Sequence, residues 1–131
     1  MVLVDTSVLI DYLRGINNRV TDKFQFILDS DIPFGINSLI YQELLQGAKT
    51  EKEFRELKKY LETQIFYDIK DKKTSFENAA LIYFSCRKKG RQIGSTIDCL
   101  IAWTAIENNL FLLHNDKDFE KIATVTELQI Y

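Results

Sequence analysis

Short, wholly apolar runs recur along this chain, and each gives way to a segment whose apolar residues fall three or four positions apart. Val2-Leu3-Val4 and Phe111-Leu112-Leu113 are uninterrupted runs, the pattern of strands buried on both faces. Strands are expected at 2–5, 33–36, 64–67, 110–114 and near 125–130. Between them the helical period takes over. A short helix is expected over 7–14, ending at Gly15. A second covers 18–30, with Val20, Phe24, Ile27 and Leu28 on one face. A third spans 38–47 and closes at Gly47. A charged helix over 51–62 carries Phe54, Leu57, Tyr60 and Leu61. A long helix over roughly 72–89 shows Phe76, Ala79, Ala80, Tyr83 and Phe84, an apolar one runs over 96–109, and a short one covers 116–123.

Strands alternating with helices imply an α/β domain, a parallel sheet covered on both faces. Ligands of such sheets bind beyond the carboxyl ends of the strands. The chain has 131 residues, 46% of them hydrophobic, one Pro and five Gly, so one domain with a substantial core is expected and a turn-rich all-β chain is not. No apolar run approaches membrane-spanning length. The start of the chain does not resemble an export signal, and Cys86 and Cys99 lack metal-finger spacing. Reduced, buried thiols and a cytoplasmic location are the expectation.

Chemistry enters through four acids in apolar settings. Asp5 ends the first run and precedes the hydroxyls Thr6 and Ser7. Glu43 lies mid-helix, above Leu39 and Ile40. Asp98 sits near the start of the apolar helix, below Ile101 and Ala102, and Asp116 follows the run 111–113. None has Lys or Arg three or four residues away. Taken singly, three of them have a structural role open to them. Asp5 and Asp116 can cap the helices they precede, with Asn115 a rival to Asp116, and Asp98 can close a capping box with Ser95. Glu43 has no such role. Asp5 and Asp116 share one sheet edge by topology, and Asp98 can point the same way. Clustered carboxylates raise one another's pKa and need a partner, a proton or a metal. Oxygen-only ligands select Mg²⁺ or Mn²⁺ over zinc, and such a site suits phosphoryl chemistry. His114, the sole histidine, reads as a strand-end residue.

The net charge is −2 and the pI near 5.4, the wrong sign for gripping nucleic acid with the whole surface. Arg87-Lys88-Lys89-Gly90-Arg91 is a local exception. It reads as a helix C-terminus, where cations complement the dipole and Gly90 stands just past the end. Contact with phosphate stays open.

The stretch from Val4-Asp5-Thr6-Ser7 to Leu13 resembles the opening of PIN-domain ribonucleases, in particular the VapC toxins of bacterial toxin–antitoxin pairs. Glu43-Leu44-Leu45-Gln46-Gly47-Ala48 is similar to their second motif, Ile93-Gly94 to Ala102 to the third, and Asn115-Asp116-Lys117-Asp118-Phe119 to the fourth. The resemblance runs in order along essentially the whole chain. It implies a three-layer α/β/α domain over 1–131 and an Mg²⁺- or Mn²⁺-dependent endoribonuclease that leaves 5′-phosphate and 3′-hydroxyl ends. Asp5, Glu43, Asp98 and Asp116 correspond to the family's catalytic and metal-binding acids, with Asp5, Asp98 and Asp116 as direct ligands and Glu43 acting through water. Thr6 and Asp118 take supporting roles. A VapB-like antitoxin, an RNA substrate and a homodimer are the implied partners, with no membrane. Trp103 stands where a small residue is usual and is expected to fill core or interface space.

Rival phosphoryl-transfer readings fit less well. A haloacid dehalogenase needs a second Asp two residues after the first, where this chain has Ser7. A receiver domain wants adjacent acids on the first strand. The alternative kept open is a catalytically silent PIN-like module that docks an antitoxin.

Overall fold

The computed structural model describes residues 1–131 and contains five strands and seven helices. Strands β1 (Val2–Val4), β2 (Phe34–Ile36), β3 (Ile65–Phe66), β4 (Phe111–Leu113) and β5 (Gln129–Ile130) form one sheet in the order β3-β2-β1-β4-β5. Every pairing is parallel. The helices are α1 (Thr6–Leu13), α2 (Arg19–Asp29), α3 (Ser38–Gln46), α4 (Glu51–Leu61), α5 (Lys72–Lys88), α6 (Thr96–Glu107) and α7 (Lys117–Ala123). Each expected element is present.

The order follows from two opposite excursions. From β1 the chain steps outward to β2 and β3 by way of α1 to α4. It then returns through α5 and α6 to place β4 on the other side of β1, and α7 leads outward to β5. Right-handed crossovers in opposite directions put their helices on opposite faces. The contacts agree: α1 packs on α2 and α3, and α3 on α4, while α5, α6 and α7 pack on one another. The result is the expected three-layer α/β/α arrangement. Its centre is the β1–β4 pair, where Val2, Leu3, Val4, Leu112 and Leu113 are all buried. No helix is long and apolar enough to cross a membrane.

Three expectations need correction. The last strand is confined to Gln129–Ile130. Thr126 holds the chain in a turn before it, its hydroxyl donating to the Ile122 carbonyl and accepting from the Leu128 amide. On α5 the helical period is right but the face is rotated. Ser75, Ala79, Ile82 and Cys86 are buried, whereas Phe76 and Phe84 are exposed. Ser75 can go inside because its hydroxyl reaches the Glu107 carboxylate at 2.9 Å. On α4, Leu61 is buried and Leu57 packs on the core, but Phe54 and Tyr60 are exposed. Gly90, by contrast, stands just past α5 with φ of +72°, the left-handed position that the basic segment suggested.

Gly35 marks the tightest strand contact. A Cβ there would collide with the Ile65 carbonyl oxygen and stand 2.7 Å from the Tyr67 ring. Gly35→Ala is therefore expected to loosen the β2–β3 edge and cost roughly 1–3 kcal/mol, read as a lower urea midpoint with an unchanged slope.

Candidate active site

β1 and β4 end together, Val4 opposite Leu113, and the next residue of β1 continues the ladder: the Asp5 amide donates to the Leu113 carbonyl at 2.9 Å. Both chains then turn into helices. Asp5 is the N-cap of α1, one carboxylate oxygen accepting from the Ser7 amide at 3.0 Å and from the Ser7 hydroxyl at 2.6 Å. Asp116, not Asn115, caps α7 and accepts from the Asp118 amide at 2.9 Å. The capping reading of these two acids is thus correct as local structure. It does not compete with a site, because an N-cap carboxylate at a strand end keeps its other oxygen for a ligand. The Ser95–Asp98 capping box does not form. Ser95 accepts from the Ile97 amide, and Asp98 makes no hydrogen bond within the protein.

Asp98, Asp116 and Asp118 each offer an oxygen, and the three lie within 4.8 Å of one another. Asp118, expected in a supporting role, therefore belongs to the tightest acidic group. Asp5 and Glu43 lie outside that trio but close enough to act on it electrostatically. Burial first, then the charges of Asp116, Asp5, Asp118 and Glu43, push the Asp98 carboxyl up to about 7. Burial, then Asp5, also raises Glu43, against a hydrogen bond from the Thr6 hydroxyl at 3.4 Å. Asp5, 5% exposed, is raised by burial against the opposing pull of Ser7. The other three acids singled out from the sequence, with Asp118, all act on Asp98 at the carboxyl edge of the sheet. Asp118 alone is paired with a cation.

His114 does not join the acids as a ligand. Its Nδ1 accepts from the Asp116 amide at 3.1 Å, which places the proton on Nε2. Nε2 lies 3.2 Å from a Glu120 oxygen but off the line of a hydrogen bond, and burial lowers its pKa. Trp103 is half-buried against the core with its indole N–H unpaired.

Ser7 is the residue whose part the sequence reading missed. Besides donating to Asp5, its hydroxyl accepts from the Asn115 amide at 2.9 Å, so one oxygen joins the ends of β1 and β4. A hydroxyl two residues after a strand-end Asp is the only hint in the sequence, and it does not tell a local turn from a bridge between strands.

Five carboxylates, no thiolate and no imidazole make a hard, oxygen-only donor set. It fits a divalent cation such as Mg²⁺ or Mn²⁺, and the unpartnered Asp98 is the group that most needs one. A parallel α/β domain with such a set at the switch point of its sheet has the build of a metal-assisted phosphoryl-transfer protein. The family model of the PIN domain matches residues 2–125, and the chain belongs to the PIN-domain family. Ribonuclease VapC11 of Mycobacterium tuberculosis is 30% identical over 130 residues, 98% of this chain and 96% of its own. A toxin–antitoxin complex from Klebsiella pneumoniae contains a chain 25% identical with a TM-score of 0.68, covering 99% of this chain and 100% of that one. VapBC2 from Rickettsia felis, solved with a promoter DNA fragment, shares the fold with a TM-score of 0.73 at 17% identity, covering 100% of this chain and 98% of that one.

Two outcomes follow. Ser7→Ala removes a hydroxyl that serves both strand ends and is expected to cost about 1–2 kcal/mol, read from the urea midpoint. Asp98 shares the pH dependence with Asp5 and Glu43, which are raised as well, and its own part can be isolated. Its folded pKa of about 7 lies above the ordinary 3.8, so between these values the native state holds a proton that the unfolded state has released. Its contribution to stability is full at low pH and is lost as pH rises through 7. Asp98→Asn cannot ionise. In metal-free buffer its melting temperature should gain on the wild type between pH 4 and 7, reaching an excess of roughly 3–5 °C at pH 8, and Mn²⁺ should close the gap by stabilising only the wild type.

Proposed function

We propose that this chain is the toxin of a type II toxin–antitoxin pair, a divalent-cation-dependent endoribonuclease of the VapC kind. The observation that carries this reading is the acidic edge, in which Asp98, Asp116 and Asp118 lie within 4.8 Å of one another and Asp98 is pushed up to about 7 by burial and then by four other acids. The ribonuclease named above and the toxin–antitoxin complexes among the structural relatives support it. A VapB-like antitoxin is the partner of the pair, and a homodimer is the proposed assembly.

In the proposed site Asp5, Asp98 and Asp116 would hold the cation, with Asp118 beside them. An Mg²⁺ or Mn²⁺ ion held there would supply Lewis-acid chemistry, offsetting charge on the scissile phosphate and lowering the pKa of a water beside it. Glu43, raised in pKa by its surroundings, is suited to orient that water and take its proton. Thr6 keeps Glu43 in place through the 3.4 Å hydrogen bond. Water oxygen bonds to phosphorus as the 3′-oxygen leaves and takes up a proton, giving a 5′-phosphate and a 3′-hydroxyl. Asp5, buried at its strand end, and Asp116 are each fixed as the N-cap of the helix that follows, so little reorganisation is needed on reaching the transition state.

Purified protein incubated with total bacterial RNA and Mn²⁺ is expected to give discrete fragments with 5′-phosphate ends. Chelator should abolish them. Asp98→Asn and Asp116→Asn should each slow cleavage roughly 100-fold or more, since a cation stabilises such a transition state by several kcal/mol. A protein that neither cuts RNA nor binds Mn²⁺ would favour the silent, antitoxin-docking module.

A further inference from the structure

Asp118 differs from the other site acids in being fully engaged within the protein. Its Oδ2 accepts from the Gly94 amide at 2.9 Å. Its Oδ1 lies 3.3 Å from the Lys121 ammonium, which also donates to the Gln92 carbonyl at 3.0 Å. Gln92 and Gly94 belong to the loop between α5 and α6, so Lys121 ties α7 to the loop that leads into Asp98. This ion pair is unlike the rest. The Lys and Arg pairs of α4 and α5 are at least half exposed on both sides, whereas Asp118 is 16% and Lys121 39% exposed. Asp5, Glu43, Asp98 and Asp116 have no Lys or Arg partner at all, which leaves Lys121 as the one resident cation in ion-pair contact with the acidic group.

We propose that Lys121 is a positioning residue and built-in counter-cation that sets how tightly the site holds its divalent ion. This rests on the reading of the acidic edge as a metal site. Two effects oppose each other. The ammonium fixes Asp118, which favours binding, and it repels an incoming cation, which opposes it. Repulsion dominates, because the Gly94 amide still holds Asp118 when the ammonium is gone, whereas nothing else supplies the positive charge. The resident cation therefore keeps the metal-free fold tolerable at the expense of metal affinity.

The test is calorimetric titration of the full chain with MnCl₂, with thermal melts alongside. Lys121→Gln can keep the hydrogen bonds without the charge, Lys121→Met removes both, and Lys121→Arg keeps the charge. Both neutral variants are expected to bind Mn²⁺ roughly three- to ten-fold tighter than wild type, with Lys121→Arg near the wild-type value. A strut without an electrostatic part would lower the melting temperature of Lys121→Met and leave Mn²⁺ affinity unchanged or weaker. Neutral variants that melt cooperatively yet bind Mn²⁺ no tighter overturn the proposal. Wild-type protein that binds no Mn²⁺ defeats instead the metal-site reading beneath it.

Discussion

The parallel pairing of β1 with β4 is the constraint from which the site follows. It sets Val4 beside Leu113, and the ladder carries on into the Asp5 amide. Because the crossovers on either side of this pair run in opposite directions, the helices diverge there and leave a crevice at the strands' carboxyl ends. The residues next in sequence, Asp5 on one side and Asn115-Asp116 on the other, have nowhere else to go. Ser7 then joins the two ends through a single hydroxyl. A one-residue slip of this register would carry Asp5 into the core face of the sheet, at the cost of burying a charge without a partner.

That geometry holds mutually repelling groups together, and the rest of the fold has to tolerate them. Three devices do so. Helix N-termini face two of the acids, and their free amides solvate carboxylate oxygens as water would. Hydroxyls of Ser7 and Thr6 take up further oxygen valences. Lys121 matches the charge of Asp118. The Asp98 carboxylate accepts no hydrogen bond and has no cation beside it, and burial, then the charges of the other acids, pushes it up to about 7. The frustration is concentrated at one side chain, on a helix whose buried face (Cys99, Ile101, Ala102, Ala105) is apolar enough to hold it there.

How much of this could be read in the sequence depends on the range of the interaction. Elements set by local period were legible: all twelve were expected, and the strand ends at Asp5 and Asp116 follow from uninterrupted apolar runs. The four acids were legible for a related reason, since a carboxylate in an apolar stretch is costly enough to need explaining. What escaped were pairings across long sequence separations. Ser75 is a poor core residue until Glu107, 32 positions away, accepts a hydrogen bond from its hydroxyl, so the buried face of α5 was assigned one position off. Ser7 was given no role, because its second partner, the Asn115 amide, lies 108 positions on. Asp118 looked peripheral because its nearness to Asp98 depends on how α7 packs on α6. The final strand, expected near 125–130, is shorter because the Thr126 hydroxyl closes a turn before it through contacts that local period does not reveal.

On the proposed reading, the same acidity that invites a cation must keep RNA away until one is present. Several carboxylates at a strand edge repel a phosphodiester, and a chain of net charge −2 offers no global attraction to offset this. Cation and RNA phosphate are then coupled ligands: each lowers the cost of placing the other, and by linkage the coupling is equal in both directions. Lys121 is too far committed to Asp118 and the Gln92 carbonyl to take the cation's place. On this reading the acidic edge would act as a selectivity device as well as a catalytic site, admitting phosphate more readily once a divalent ion has offset part of its charge.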